Sequence, residues 1–387
     1  MKGKRRDKGE GAIYQRKSDG LWLARFTPHK GAKIKYLSGK TEREVKKKLK
    51  AHKDELSKND YVEVQKITVQ EYMNRWFLEV KMNELKPKSI DALEVTLRSQ
   101  VYPAIGDIQI GGLTPNDIQV MINDLTHKGY AHSTIKKAYM AVNACFKLGI
   151  EKEDVVKNPC RGVRLPKNLV RKQDDIKFFT KEEVDLICTE ALTQYSNGKP
   201  KYRLGHAILV LLYTGMRIGE LLGLRWADID FNSKTVYVRK NVVVVKNRDS
   251  DEDGNDSPKW RLLEQDDTKT KASARIVTLN QKAINALKGI QEFNGKFDHV
   301  MANSTGNILI PKNFDRMLRS VLIRCDLEPC GAHVLRHTFA SMLFKNGVEA
   351  KTVSELLGHS DVSVTYNTYI HLVKEQKQQA VDILDTL

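Results

Sequence analysis

Residues 333–343 read HVLRHTFASML. On a helix His333 and Arg336, three apart, point to one face. His333 and His337, four apart, also have the spacing of a zinc pair. The residues between them are Val334, Leu335 and Arg336. No glutamate stands there to act as a base, and a cation sits between the histidines, which argues against a metal. His337 then reads as a supporting or core histidine. An arginine and a histidine on one helix face read instead as a site for an anion.

Two further stretches supply chemistry of the same kind. Upstream, TGMRIGELLGLRW holds Arg217 and Glu220; downstream, LLGHSDVSVTYNTYIHL holds His359, Tyr366 and Tyr369. Guanidinium groups stay protonated and meet phosphate oxygens with planar, bidentate hydrogen bonds. A phenol has a pKa of about 10 and is a usable nucleophile only when its anion is stabilised or its proton has an acceptor. Arg217 and Arg336 beside a tyrosine therefore suit attack on a phosphodiester without a metal. Glu220, a single carboxylate three residues after Arg217, serves equally well as a structural ion pair or as support for the site.

The bulk numbers favour a polyanionic partner. The chain has 387 residues and a formal net charge of +17. Residues 1–58 hold 19 Lys/Arg against 7 Asp/Glu, and the remaining 329 hold 46 against 41. The charge is thus concentrated at the N-terminus. Hydrophobic residues make up 41% and charged residues 29%, as in a soluble globular protein. No apolar run is long enough to span a bilayer, and MKGKRRDKGEG lacks the apolar core of a secretory signal. Five scattered cysteines, none in a CxxC pair, argue against a disulfide framework or a zinc site and fit a cytoplasmic location.

Along the chain, GAIYQRKSDGLWLARFT (11–27) reads as two strands around a turn at Ser18-Asp19-Gly20, and KIKYLSG (33–39) as a third. Thr41, with Glu44 three residues on, opens a basic helix. Trp22, Leu23, Phe26, Tyr36 and Leu37 are the expected small core. Arg16, Lys17, Arg25, Lys33 and Lys35 are the expected DNA contacts of a sheet that enters a groove. Residues 66–166 read as helices broken by Gly, Pro and Thr-Pro signals. Asn158–Asp175 reads as a basic linker. From residue 176 an apolar helix, HAILVLLYTGMRIGELLGL, precedes strands TVYVRKNVVVVK and ARIVTL, and further helices follow. KNRDSDEDGNDSPKW, with its acidic insert at 249–256, reads as a solvated loop. The expected fold is multidomain and mainly α with small β-sheets. A three-stranded sheet plus helix occupies 1–58, a helical domain 65–165, and a mixed α+β domain 175–387.

The ordered set Arg217, KTKASAR with Lys269, HxxR, LGH and Tyr369 resembles the tyrosine recombinases, or phage-type integrases, over nearly the whole chain. The basic N-terminal part is similar to the arm-binding domain of integrases from lambda-like phages and conjugative transposons. The resemblance implies a covalent 3′-phosphotyrosine intermediate formed without metal, cofactor or ATP. It implies His333 as the base, His359 as a phosphate donor and Lys269 as the general acid on the leaving 5′-oxygen. Lys271, two residues on, shares a strand face with Lys269; the KT-x-x-S-x-R pattern favours Lys269. In the family the nucleophile follows the LGH histidine by nine or ten residues, with x-His after it. That selects Tyr369, ten after His359, and leaves Tyr366 as packing. The implied partners are double-stranded DNA at core and arm attachment sites, three further copies in a synaptic tetramer, an excisionase and a host DNA-bending protein. The tail LVKEQKQQAVDILDTL is a short amphipathic helix, which in the family often docks on a neighbouring subunit.

Overall fold

The computed structural model describes residues 12–16, 19–26, 34–59, 67–167, 177–248, 259–266, 275–359 and 361–369. Lys17, Lys33, Lys269, Lys271, the acidic insert and the tail after Tyr369 lie outside them. The chain divides into two compact units, Met1–Leu169 and Val170–Leu387.

The first unit begins with an antiparallel meander, β1 (Ala12–Gln15), β2 (Trp22–Phe26) and β3 (Lys35–Gly39), followed by α1 (Glu42–Asn59). The Thr41 hydroxyl accepts from the Glu44 N–H at 3.2 Å, and the Glu44 carboxylate accepts from the Lys40 N–H at 2.9 Å. This starts the helix as expected, with the return bond one residue earlier than an ideal capping box. Ala24, Phe26, Val45 and Leu49 form the buried core, with Ile13, Trp22 and Leu37 packed on it. Tyr36 is not part of it: it pairs with Arg25 across the sheet, and both are exposed. Directly opposed residues share a face, so Arg25 and Tyr36 lie on one side and Lys35, the next residue along, on the other. Arg16 sits at the turn and hydrogen-bonds Asp19.

The rest of this unit is helical: α2 (Val69–Trp76), α3 (Met82–Glu84), α4 (Pro87–Thr96), α5 (Tyr102–Ile105), α6 (Pro115–His127) and α7 (His132–Glu151). Capping boxes at Thr68/Glu71 and Thr114/Asp117 satisfy first-turn N–H groups, and Pro115 takes the first helical position, where its missing N–H costs nothing. Val69, Met73, Leu97, Ile118, Ile122, Val142 and Phe146 are among the residues that fill the core. Part of the expected linker belongs to this unit. Cys160 is buried in its core, Val163 and Leu165 pack against it, and Gln119 both donates to the Arg164 carbonyl and accepts from its N–H. The apolar residues between Pro159 and Pro166 outweighed the loop signals around them.

The second unit holds α8 (Lys181–Ala191), α9 (Gly205–Thr214) and α10 (Ile218–Leu222), then strands β4 (Ile229–Asp230), β5 (Thr235–Val238), β6 (Lys240–Lys246), β7 (Trp260–Asp266) and β8 (Arg275–Thr278). It closes with α11 (Gln281–Asn294), α12 (Pro311–Arg324), α13 (His333–Lys345), α14 (Ala350–Leu357) and α15 (Val362–Thr368). Two expectations change here. The long apolar helix breaks after Thr214, where Gly215 turns left-handed (φ 65°). The strand TVYVRKNVVVVK splits at Arg239: β5 joins a β4-β5-β8 sheet, while β6 pairs with β7, a strand the sequence reading left unassigned. The α9 helix is buried nearly all round and packs against α8, α11 and α13. A central helix of this kind reads as a continuous apolar run.

Candidate active site

The site forms where the α9–α10 break, the start of β8, α13 and the α14–α15 connection meet. Arg217 is the N-cap residue of α10, in an extended conformation (φ −74°, ψ 147°). Its backbone N–H and its Nη1 donate to the two carboxylate oxygens of Glu220, at 2.8 and 2.7 Å. Arg275, first residue of β8, donates through Nη1 and Nη2 to the same two oxygens, at 2.9 and 2.8 Å. Glu220 is 1% exposed. Burial opposes its charge, but the Arg275 hydrogen bonds, with Arg217 beyond, outweigh this and hold its pKa at about 2.

Arg336 is 5% exposed and ties three segments together. Its Nη1 donates to the Gly215 carbonyl (2.7 Å), and its Nη2 to the Leu357 carbonyl (2.7 Å) and to His359 Nε2 (2.8 Å). Burial, then Arg217, pushes it down to about 9, so it remains cationic at neutral pH. An arginine can only donate, so His359 Nε2 accepts. Its Nδ1 therefore carries the hydrogen and donates to Thr365 Oγ1 (2.7 Å). Burial and the surrounding guanidiniums of Arg336, Arg217 and Arg275 push His359 down to about 4, which keeps it neutral.

Two glycines allow this close assembly. A Cβ on Gly215 would lie 2.4 Å from the Phe339 ring. Gly358, also left-handed (φ 66°), lies against the Arg275 stem, where a Cβ would come within 2.7 Å of Cδ. The glycines of TGMR and LGH thus let the Phe339 ring and the Arg275 side chain come close to the backbone.

The tyrosine behaves differently from the expectation. Tyr369 is 1% exposed, its ring 5.3 Å from that of Phe344 between centroids. Burial pushes its pKa up to about 12 against the opposing influence of Arg336. Its hydroxyl lies 2.7 Å from His337 Nδ1. The structure therefore brings His337, not His333, to the phenol. Burial first, then His333 and Arg336, lowers the pKa of His337, so the ring is neutral, and its tautomer sets whether the ring or the phenol donates. His333, itself exposed at the start of α13, has its pKa lowered by partial desolvation first, then by Arg336 and Arg217. Tyr366 packs at the edge of the cluster that buries Tyr369.

Arg217, Glu220, His333, Arg336, His337, His359 and Tyr369 are thus gathered in one region. Arg217, with its side chain 36% exposed, is the most open of the three clustered guanidiniums, against 8% for Arg275. Arg275 was quoted within KTKASAR but given no role; its pairing with Glu220, 55 residues away, is a tertiary fact. Among the described residues no group of three His, Cys, Asp or Glu could hold a metal ion.

The Arg217 and Arg336 guanidiniums lie near each other, with His359 on Arg336 and Tyr369 on His337 of the same helix, a set of side chains suited to chemistry on a phosphodiester. Residues 177–376 match the phage integrase family, and residues 68–126 match the phage integrase N-terminal SAM-like domain. The chain belongs to the phage integrase family, the tyrosine recombinases. A XerC-like tyrosine recombinase of Caldanaerobacter subterraneus subsp. tengcongensis is 31% identical over 367 residues, covering 90% of each chain. The ICEBs1 integrase of Bacillus subtilis is 27% identical and covers 71% of each. The solved Tn1549 transposon integrase, in complex with transposon right end DNA, shares the fold with a TM-score of 0.65 at 19% identity. That match covers 81% of this chain and 99% of the other.

Proposed function

We propose that the chain is a site-specific DNA recombinase of the integrase kind, which integrates and excises a mobile element. The observation that carries this reading is one cluster of side chains: Arg217 held on the buried Glu220, Arg336 hydrogen-bonded to His359, and Tyr369 held by His337 on the same helix as Arg336. In the reaction, the Tyr369 phenol gives its proton to His333, its oxygen attacks the scissile phosphorus and the bond to the 5′-oxygen breaks. Arg217 and Arg336 answer the charge that builds on the non-bridging oxygens, and Lys269 protonates the leaving oxygen. The phosphotyrosine conserves the bond, so a second 5′-hydroxyl can rejoin it without ATP. Tyr369 must leave its buried position to react. The docked form, with its phenol near 12, is then a resting state.

On this reading residues 1–58 hold arm-site DNA, 65–165 clamp the core site and 175–387 cut. Four copies act together on two DNA duplexes, with an excisionase and a DNA-bending host protein setting direction. The tail after Tyr369 docks on a neighbouring copy. The XerC-like relative favours a second reading, a resolving recombinase of the Xer type.

The test is covalent trapping. Nicked duplexes with a randomised core are incubated with the protein in EDTA and run on a denaturing gel. A covalent band that persists in Tyr366→Phe and vanishes in Tyr369→Phe supports the mechanism. A band that survives Tyr369→Phe refutes it. Sequencing the captured duplexes, then testing exchange between two DNAs, separates integration from resolution.

A further inference from the structure

Arg275 is a deeply buried charge with no part in the steps above. Its side chain is 8% exposed, and among the described residues its buried Nε has no hydrogen-bond partner. A buried ion pair is often no more stabilising than a well-packed apolar pair, and an unpaired buried donor carries an uncompensated desolvation cost. Stability alone therefore gives a poor account of it.

The geometry around Glu220 gives a better one. The carboxylate accepts four hydrogen bonds, two from the Arg275 guanidinium, one from the Arg217 backbone and one from Arg217 Nη1. It is saturated. Without Arg275, a buried carboxylate with vacant lone pairs would stand beside Arg217 and draw in both arms of its guanidinium, the bidentate arrangement such pairs prefer. With Arg275 in place, Glu220 holds Arg217 by a single Nη hydrogen bond and leaves its other donors open.

Charge points the same way. The Arg217, Arg275 and Arg336 guanidiniums and the Glu220 carboxylate leave a net charge of two positive. A phenolate attacking a phosphodiester monoanion makes a transition state of two negative. Removing Arg275 would halve that match.

We propose that Arg275 is a positioning residue: it saturates Glu220 so that Arg217 is aimed by one bond and turns its remaining donors to the scissile phosphate. This rests on the recombinase reading and adds to it a residue that never touches DNA.

The experiment compares wild type, Arg275→Gln, Arg275→Lys and the double variant Glu220→Gln/Arg275→Gln. The substrate is a nicked duplex that wild type has captured covalently from the randomised pool. The saturating rate of attachment and the DNA affinity are measured separately, because a misaimed transition-state contact lowers the first and spares the second. Arg275→Gln should lose about 100-fold in rate, the usual effect of a misplaced catalytic donor. The double variant should regain at least about tenfold of this, because an amide does not compete for Arg217 as a carboxylate does. A purely structural role predicts that the second change adds to the loss.

Arg275→Gln at the wild-type rate, or a folded double variant no faster than the single, overturns the proposal. Should Arg275→Gln not fold, Arg275→Lys decides. It keeps the charge with fewer hydrogen bonds, so it should melt near wild type yet react more slowly; a wild-type rate overturns the idea. A wild type that never attaches to DNA overturns the recombinase reading instead. Inorganic vanadate, titrated without DNA as a stand-in for pentavalent phosphorus, then judges Arg275 separately. Wild type should bind it more tightly than Arg275→Gln, and equal affinities count against the positioning role.

Discussion

Replacing His337 by leucine tests the docked tyrosine most directly. The Tyr369 hydroxyl has His337 Nδ1 as its hydrogen-bond partner at 2.7 Å, and the phenol is 1% exposed. Leucine fills similar space but accepts no hydrogen bond. The hydroxyl would be left buried and unsatisfied, which costs about 1–3 kcal/mol. That shifts the balance toward an undocked tyrosine by about 5- to 150-fold. Undocking also changes the phenol. At about pH 8 a tyrosine near 12 is ionised about a hundredfold less than one near the ordinary value of 10. His337→Leu should therefore raise the rate at which tetranitromethane nitrates Tyr369, read by peptide mass spectrometry without DNA. On DNA it should hold or raise the rate of covalent attachment. A fall of about 100-fold or more in attachment would instead make His337 the base, the size of effect expected for a lost general base. Unchanged nitration would refute the reasoning about docking.

Three more outcomes are expected. His333, His337 and His359 all have folded-state pKa values below 6.5, so the unfolded chain binds their protons more readily. Stability should fall as pH drops from about 6.5 toward the value of about 4 held by His359, while Glu220, held at about 2, adds nothing until pH falls below 4.5; a melting temperature that stays flat from pH 7 to pH 5 would contradict this. Gly215→Ala puts a Cβ 2.4 Å from Phe339 at a left-handed position, for a strain of about 1–3 kcal/mol before the collision is counted, so melting temperature and covalent attachment should fall together. Deleting residues 1–58 should flatten the dependence of log affinity on log salt for arm-site DNA, and an unchanged slope in a filter-binding titration would remove that module from DNA recognition.

The helical character of the chain and the order of its motifs were legible because each rests on local signals. Thr68/Glu71, Thr114/Asp117 and Thr180/Glu183 mark helix starts within four residues of sequence. HVLRHTFASML lies at the start of α13. What escaped reading depends on contacts made far along the chain. Arg275 gains meaning only from Glu220, across from it in space. His337 and His333 stand one helical turn apart, and which one meets the phenol depends on how Tyr369 folds back. β7 begins with WRLLEQ, which has no clean period-2 alternation, and it is a strand because β6 pairs with it in a seven-residue register. The apolar run before Arg217 gave the helix but hid the break, since Gly215 breaks it by turning left-handed rather than by any change in hydropathy.

Arg336 also ties the proposed site to the completion of the unit that carries it. Its guanidinium joins the carbonyl of Gly215, 121 residues earlier, to Leu357 and His359 beyond it. A growing chain that has made α9 and α10 but not α13 has Arg217 and no partner for the phosphate. A clipped chain that ends before Leu357 leaves Arg336 buried without two of its acceptors. On the proposed reading, neither fragment can hold a scissile phosphate between two guanidiniums. On that reading, the cutting geometry is complete only once α9, α13 and the segment through His359 are all in place.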